Sequence, residues 1–268
     1  MPGALTPARP PGASSRATDR FLSFDNVSFG YRRTRLVLDC LSHEFAPGAT
    51  LLLGPNGAGK STLLALAASA FRPKAGVVRF AGTPAASPTL REYRRRVSWM
   101  PQQIRPIPGL SVREQVAYVG WLKGMTRSQA WERSLPALDR VALREHAETR
   151  PGRLSGGELR RLGVAQTLVH DAALLLMDEP TAGLDPAQRA GFQQLVQQLA
   201  ETTTVVVSTH QTDDIDTSYA HVVVLADGRI RFSGSTGAFL ASAGDAANGR
   251  ERVVTAYTRA LGSGEPRP

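Results

Sequence analysis

Gly54-Pro-Asn-Gly-Ala-Gly-Lys-Ser-Thr62 is the stretch on which the reading of this 268-residue chain turns. It fits the phosphate-loop pattern of Gly, four residues, then Gly-Lys-Ser/Thr. Glycines let a backbone wrap round a phosphate with its N–H groups turned inward. A helix starting here aims its positive end at the anion. Lys60 offers a point charge to β- and γ-phosphates, and Ser61 a hydroxyl to Mg2+. The flanks agree: a short apolar strand, Thr50–Leu53, runs in, and an apolar helix runs out from Ser61 to about Phe71.

Outward from that loop, strands and helices alternate. Phe21–Tyr31 alternates apolar and polar residues (Phe24, Val27, Phe29) and reads as an edge strand. Leu36–Phe45 reads as a second strand, with Pro47-Gly48 as the turn after it. Val77–Ala81 and Val97–Pro101 are further strands, separated by the basic run Arg91–Arg96. From Ser111 to His146 the period is helical, and Ser111 with Glu114 has capping-box spacing. A second helix covers Ser128–Asp139, with Ser128 at its start. A third opens at Ser155 and carries Leu159, Leu162, Ala165 and Leu168 on one face. Ala173–Met177 is a wholly apolar strand, Ala187–Ala200 a helix, and Thr203–Ser208 and Val222–Ala226 two more strands. Asp227-Gly228 is a hairpin signal leading into Arg229–Phe232. Residues 241–250 read as a polar linker and Glu251–Leu261 as a short helix. Apolar strands alternating with helices predict an α/β fold, a parallel sheet covered on both faces.

Composition narrows the class. Hydrophobic residues at 42% and charged residues at 21% are globular rather than disordered usage. A single cysteine, Cys40, excludes an internal disulfide framework and a cysteine-only zinc site, and points to a reducing compartment. Cys40 itself reads as a small buried apolar residue. The net charge of +9 is uneven: residues 1–110 hold fifteen Lys and Arg against five Asp and Glu. Phosphate, anionic lipid and nucleic acid all suit such an excess, as does a solvated surface. No stretch reaches the roughly 20 apolar residues of a membrane span. Residues 1–20, rich in Pro, Ala, Arg and Ser, read as a disordered tail, so a membrane role is expected through a partner.

Two further motifs carry chemistry. Residues 174–179, Leu-Leu-Leu-Met-Asp-Glu, end a buried strand in two acids. That places carboxylates at the sheet's C-terminal edge, where ligands bind in such sheets. Asp178 is expected to hold Mg2+ through water, and Glu179 to polarise the attacking water as base. Leu154-Ser-Gly-Gly-Glu158 then begins a helix 94 residues after Lys60. With this segment the chain resembles the ATP-binding cassette (ABC) ATPases, whose signature it matches.

The resemblance covers about residues 21–240 and implies a P-loop NTPase fold of ABC type. That fold has a mixed core sheet with flanking helices, an N-terminal antiparallel β subdomain and an α-helical signature subdomain at about 103–165. Residues 241–268 would be a C-terminal extension. The whole loop Gly54, Pro55, Asn56, Gly57, Ala58, Gly59, Lys60, Ser61 and Thr62 would bind ATP, with Tyr31 where the adenine-stacking aromatic is found. Gln102 sits at the mobile-glutamine position, with Gln103 as an alternative register, and would join Ser61 and Asp178 around Mg2+. Gly183-Leu184-Asp185 matches the loop after the catalytic acid, and His210 the switch histidine. Lys60, Gln102, Glu179 and His210 would carry catalysis. Glu158 departs from the family's frequent Gln.

Ser155 and the amides after it form a second anion-binding helix start that one chain's own ATP need not fill. A two-fold dimer uses both ends, and the resemblance implies the same head-to-tail sandwich. Ser155, Gly156, Gly157, Glu158 and Asp185 would then contact the ATP of the second ABC subunit. The function implied is the ATP-binding subunit of a transporter that drives export through a separate membrane-spanning permease subunit, from the cytoplasmic face of the cell membrane. No specific nucleic-acid partner is expected. Val116–Met125 and Leu168–Ala172 resemble bacterial multidrug and antibiotic exporter cassettes, and only about 28 residues follow position 240, where importers often carry a regulatory domain. An importer cassette is the first alternative. A soluble ABC ATPase acting on ribosome or DNA is the second, disfavoured by the single cassette and the lack of a heptad run. Trp121, Leu122 and Met125 are the apolar residues expected at the permease or in the helical subdomain's own core.

Overall fold

Two sheets of differently patterned strands pack around one central helix. The computed structural model describes residues 21–32, 35–216, 218–244 and 249–262; the expected tail 1–20 lies outside them. The first sheet is antiparallel. It holds β1 (Leu22–Phe29), β2 (Leu38–Phe45), β4 (Ala75–Phe80) and β5 (Thr83–Pro84) in the order β2-β1-β4-β5. β1 is therefore interior, paired on both sides, and not the edge strand its alternation suggested. Alternation reports one buried face and is blind to what lies on either side in the sheet plane.

The same sheet corrects the reading of Cys40. Val27 pairs with Leu41 but Phe29 pairs with Leu38, so β2 carries one extra residue over that step. The bulge puts Cys40 at φ +48° with its thiol exposed, while its N–H donates to Ser28 Oγ at 2.9 Å. A bulge shifts the in–out phase of a strand, which a residue-by-residue hydrophobicity reading does not register.

The second sheet has the order β10-β9-β3-β8-β7-β6. β3 (Ala49–Leu53), β6 (Val97–Met100), β7 (Leu174–Asp178), β8 (Thr204–Thr209) and β9 (His221–Ala226) run parallel. β10 (Arg229–Ser235) turns back antiparallel as the edge. Asp227 and Gly228 both have positive φ (+50° and +70°), as a two-residue primed hairpin turn requires.

The apolar runs serve two cores at once. Leu51, Leu175, Met177, Val205 and Val207 face one core, together with Leu162, Ala165, Phe192 and Val196. Leu52, Leu174, Leu176 and Val206 face the other, against Leu63, Leu64 and Leu66 and the ring cluster Phe24, Phe45, Phe80 and Tyr93. Successive strand residues alternate between faces, so a sheet covered on both sides needs no polar position. Each fully buried Leu or Val contributes about 1.5–3 kcal/mol.

The helices are α1 (Lys60–Ala67), α2 (Leu90–Arg96), α3 (Val112–Leu122), α4 (Arg127–Asp139), α5 (Gly156–Leu168), α6 (Pro186–Ala200), α7 (Thr236–Ala241) and α8 (Gly249–Gly262). α3 starts with the expected Ser111–Glu114 capping box. α4 does not start at Ser128. Thr126 caps it, with Gln129 returning the bond, and Ser128 instead donates to Glu132 at 2.8 Å. α8 packs Ala256 and Ala260 against Val222, Val224 and Phe239. None of the described helices is long and apolar enough to cross a membrane.

Candidate functional site

Four parallel strands deliver the predicted residues to one edge of the sheet. β3 runs into the loop at Gly54, β6 leads to Gln102, β7 ends at Asp178, and β8 ends just before His210. Register keeps these ends level: Leu53 pairs with Thr209, Asp178 with Ser208, and Met100 with Met177. Side chains more than a hundred residues apart in sequence thus open onto a common crevice.

The loop's glycines meet specific demands. A Cβ on Gly54 would lie 2.1 Å from the Leu225 carbonyl oxygen, and Gly59 sits at φ +105°. Gly59 is also the N-cap of α1 and supplies no side-chain acceptor, so the N–H groups of the first turn are left for a ligand. Lys60 is buried and donates from Nζ to the Gly54 and Pro55 carbonyls at 2.7 and 3.1 Å. Burial pushes its pKa down; the nearby charges of Glu179 and Asp178 push it partly back up.

Glu179 stands at the centre. Its φ of +50° is uncommon for a residue with a side chain, and its N–H is held by both the backbone oxygen and Oγ of Ser208 at 3.1 Å. Ser208 Oγ in turn donates to Asp178 Oδ1. The Glu179 carboxylate is within 2.8 Å of His210 Nδ1 through Oε1 and accepts from Gln102 Nε2 at 3.3 Å through Oε2. Tyr31, largely exposed, has its hydroxyl 3.0 Å from Thr62 Oγ1 and packs edge-on against Phe29 and Phe71. A cavity of about 510 Å3 is lined by Tyr31, Asn56, Gly57, Gly59, Lys60, Ser61, Thr62, Gln102, Glu179 and His210. Gly54, Pro55 and Ala58 shape the loop behind it; the Ala58 carbonyl accepts from Gly228 N–H at 3.1 Å.

Ser61, Gln102 and Asp178 share the wall of an adjoining cavity of about 530 Å3. They offer a hydroxyl, an amide oxygen and one carboxylate. That set of hard oxygen donors, with room for water, fits Mg2+ rather than a soft metal. Among the described residues there is no cluster of three or more His, Cys, Asp or Glu side chains that could hold a metal. Gln103 lines only this second cavity; Gln102 is the glutamine that touches Glu179.

The signature segment lies apart from this crevice. Ser155, Gly156, Gly157, Glu158 and Asp185 do not line the cavity around Lys60. Ser155 caps α5, and Glu158 Oε2 accepts from Ser155 N–H and Oγ, each at 2.8 Å. The backbone bond and then the hydroxyl bond hold the Glu158 carboxyl below the usual carboxylate range, against some opposition from burial. Asp185 caps α6 by accepting from Gln188 N–H at 2.8 Å and is exposed.

Two contributors carried no sequence signal of their own. Ser208 orients both Asp178 and Glu179; its only trace is a hydroxyl inside a β-branched strand. Arg160 binds the Gln102 carbonyl from α5, linking the signature helix to the glutamine.

The profile of the family described as ABC transporter matches residues 38–182, more than half of the chain. The Nod factor export ATP-binding protein I of Paraburkholderia xenovorans (strain LB400) is 37% identical over 223 residues, covering 82% of this chain and 73% of that protein. Among solved structures, a bacterial Atm1-family ABC exporter with ATP bound aligns with TM-score 0.74 at 27% identity; the match takes in 90% of this chain and 42% of the exporter's. The dimeric post-hydrolysis state of the ATP-binding cassette MJ0796, bound to ADP and Pi, aligns with TM-score 0.73 at 25% identity over 80% of this chain and 98% of that one.

Proposed function

This chain belongs to the ABC transporter family as an ATP-binding, ATP-hydrolysing subunit, and we propose that it burns Mg-ATP at a head-to-tail dimer interface to drive export through a separate membrane subunit. One observation carries the reading: Lys60, Gln102, Glu179 and His210 converge on a single cavity at the uncapped start of α1. The triphosphate seats against the first-turn N–H groups and Lys60. Tyr31 offers its exposed ring to the base. Ser61, Asp178 and Gln102 would hold Mg2+, which when bound would neutralise charge on the β- and γ-phosphates. Glu179 orients and polarises the attacking water. His210, whose Nδ1 lies 2.8 Å from Glu179 Oε1, holds that carboxylate in place beside the nucleotide. Positioning and charge do most of the work in such transfers, and each tenfold in rate is about 1.4 kcal/mol of barrier.

That the signature segment does not line its own chain's cavity supports the dimer reading. Ser155 and its helix start are exposed, and a two-fold partner brings them to the far side of the nucleotide. Glu179→Gln should bind Mg-ATP, fail to hydrolyse it and accumulate as a dimer on light scattering. A monomeric Glu179→Gln protein saturated with Mg-ATP sinks the sandwich.

The membrane subunit is assigned to the exposed aromatic face of α3 and α4. Tyr118, Trp121 and Leu122 are exposed there, and Tyr118, Trp121 and Trp131 border a groove of about 390 Å3. Met125 instead packs back on Gly120, whose added Cβ would lie 3.0 Å from its sulfur. Export rests on the name of the similar Paraburkholderia protein. Trp121→Glu should keep ATP binding and lose recruitment to membranes carrying the permease; recruitment unchanged sinks this face.

A further inference from the structure

Asp214 lies outside the nucleotide cavity and is buried, with 1% of its surface exposed. A buried carboxylate persists only when its charge and lone pairs are answered. Here Oδ2 accepts from two hydroxyls, Thr181 at 3.0 Å and Thr209. Oδ1 makes no hydrogen bond and is answered by charge alone, 3.7 Å from Arg189 Nε on α6. Both threonines are buried at 2%. Their positions matter: Thr181 is two residues after Glu179, and Thr209 directly precedes His210. Thr209 also accepts from Gln211 N–H at 3.0 Å, and Gln211 Oε1 accepts from Arg189 Nη2 at 3.0 Å. The network therefore closes a ring behind the contact between His210 Nδ1 and Glu179 Oε1.

We propose that Asp214 is a positioning residue for ATP hydrolysis: its carboxylate ties the segment after Glu179 to the segment bearing His210 and so sets the distance between those two side chains. It touches neither nucleotide nor the reacting atoms. This rests on the reading of Glu179 and His210 as the hydrolytic pair. The 181–185 segment, which ends at Asp185, is thereby joined to the histidine, so a partner that displaces Asp185 is felt at His210. Small displacements of positioned groups lower rates steeply.

The test uses isosteric changes that spare the fold. Thr181→Val and Thr209→Val in the full chain remove one hydroxyl each at nearly constant volume. Phosphate release is followed with Mg-ATP under single-turnover conditions, alongside ATP affinity and thermal unfolding. The expected result is a rate lowered by between about tenfold and 100-fold with unchanged ATP affinity, restored by Thr181→Ser and Thr209→Ser. Combining Thr181→Val with Asp214→Asn should add little, because both cut the same link. Wild-type rates in the folded valine variants overturn the proposal. So does a loss that the serine variants fail to repair, or one that follows the unfolding midpoint alone. Glu179→Gln is measured in parallel: if it too hydrolyses at the wild-type rate, the underlying reading of the site has failed; if it alone is dead, only the role of Asp214 has.

Discussion

The starts of α1 and α5 are both glycine-rich helix ends, and they satisfy their orphan N–H groups in opposite ways. At α1 the cap is Gly59, with no side-chain acceptor, and the first turn holds no acid and opens with the buried cation Lys60. At α5 the chain supplies its own cap: Ser155 and Glu158 exchange bonds, and the first turn carries a carboxylate. An uncapped helix end beside a buried ammonium is incomplete without an anion. A capped one is stable alone and can wait, exposed, for a surface that arrives later. The contrast separates a proposed resident nucleotide seat from a proposed docking tip.

The largest expected effect breaks the α1 side. Lys60→Ala should weaken ATP binding by about two orders of magnitude, or about 3 kcal/mol, on calorimetric titration. Ser155→Ala should do the reverse: ATP binding by the isolated subunit stays intact, while loss of the cap lowers stability by about 1 kcal/mol on chemical unfolding. Loss of ATP binding as severe as that of Lys60→Ala would erase the distinction between the two ends. The smallest effect concerns pH. Because Ser155 holds the folded-state pKa of Glu158 below its unfolded value, that stabilisation is complete above the ordinary carboxylate range and is lost as pH falls through the folded value. Glu158→Gln keeps a capping side chain but cannot titrate, so its unfolding midpoint should fall less steeply with acid than that of the wild type. Parallel acid limbs for the two proteins would show that Ser155 does not hold the carboxylate in solution.

How legible these features were depended on whether the physics was local. The phosphate loop, the Ser111 box and the Asp227-Gly228 hairpin involve neighbours in sequence and could be read directly. The start of α4 was misplaced because Ser128 and Thr126 are both plausible caps, and only the Thr126–Gln129 geometry separates them. The basic run Arg91–Arg96 carries no local sign of which charges are solvated. In the fold Arg94 binds Ser69 and Arg96 stacks over Phe80, so part of that charge is structural.

By itself the sequence determined the strand–loop–helix unit at Gly54–Thr62, the buried strand ending in Asp178-Glu179, the helix opening at Ser155 and the parallel α/β class. Each rests on period, glycine placement or cap chemistry within a few residues. Only the tertiary structure decided that β1 is interior, that Cys40 is exposed, and that Gln102 and His210 grip one carboxylate from 77 and 31 residues away. Those outcomes depend on which strands lie side by side and where a bulge falls. Long-range pairing selects them, and no local pattern carries that information.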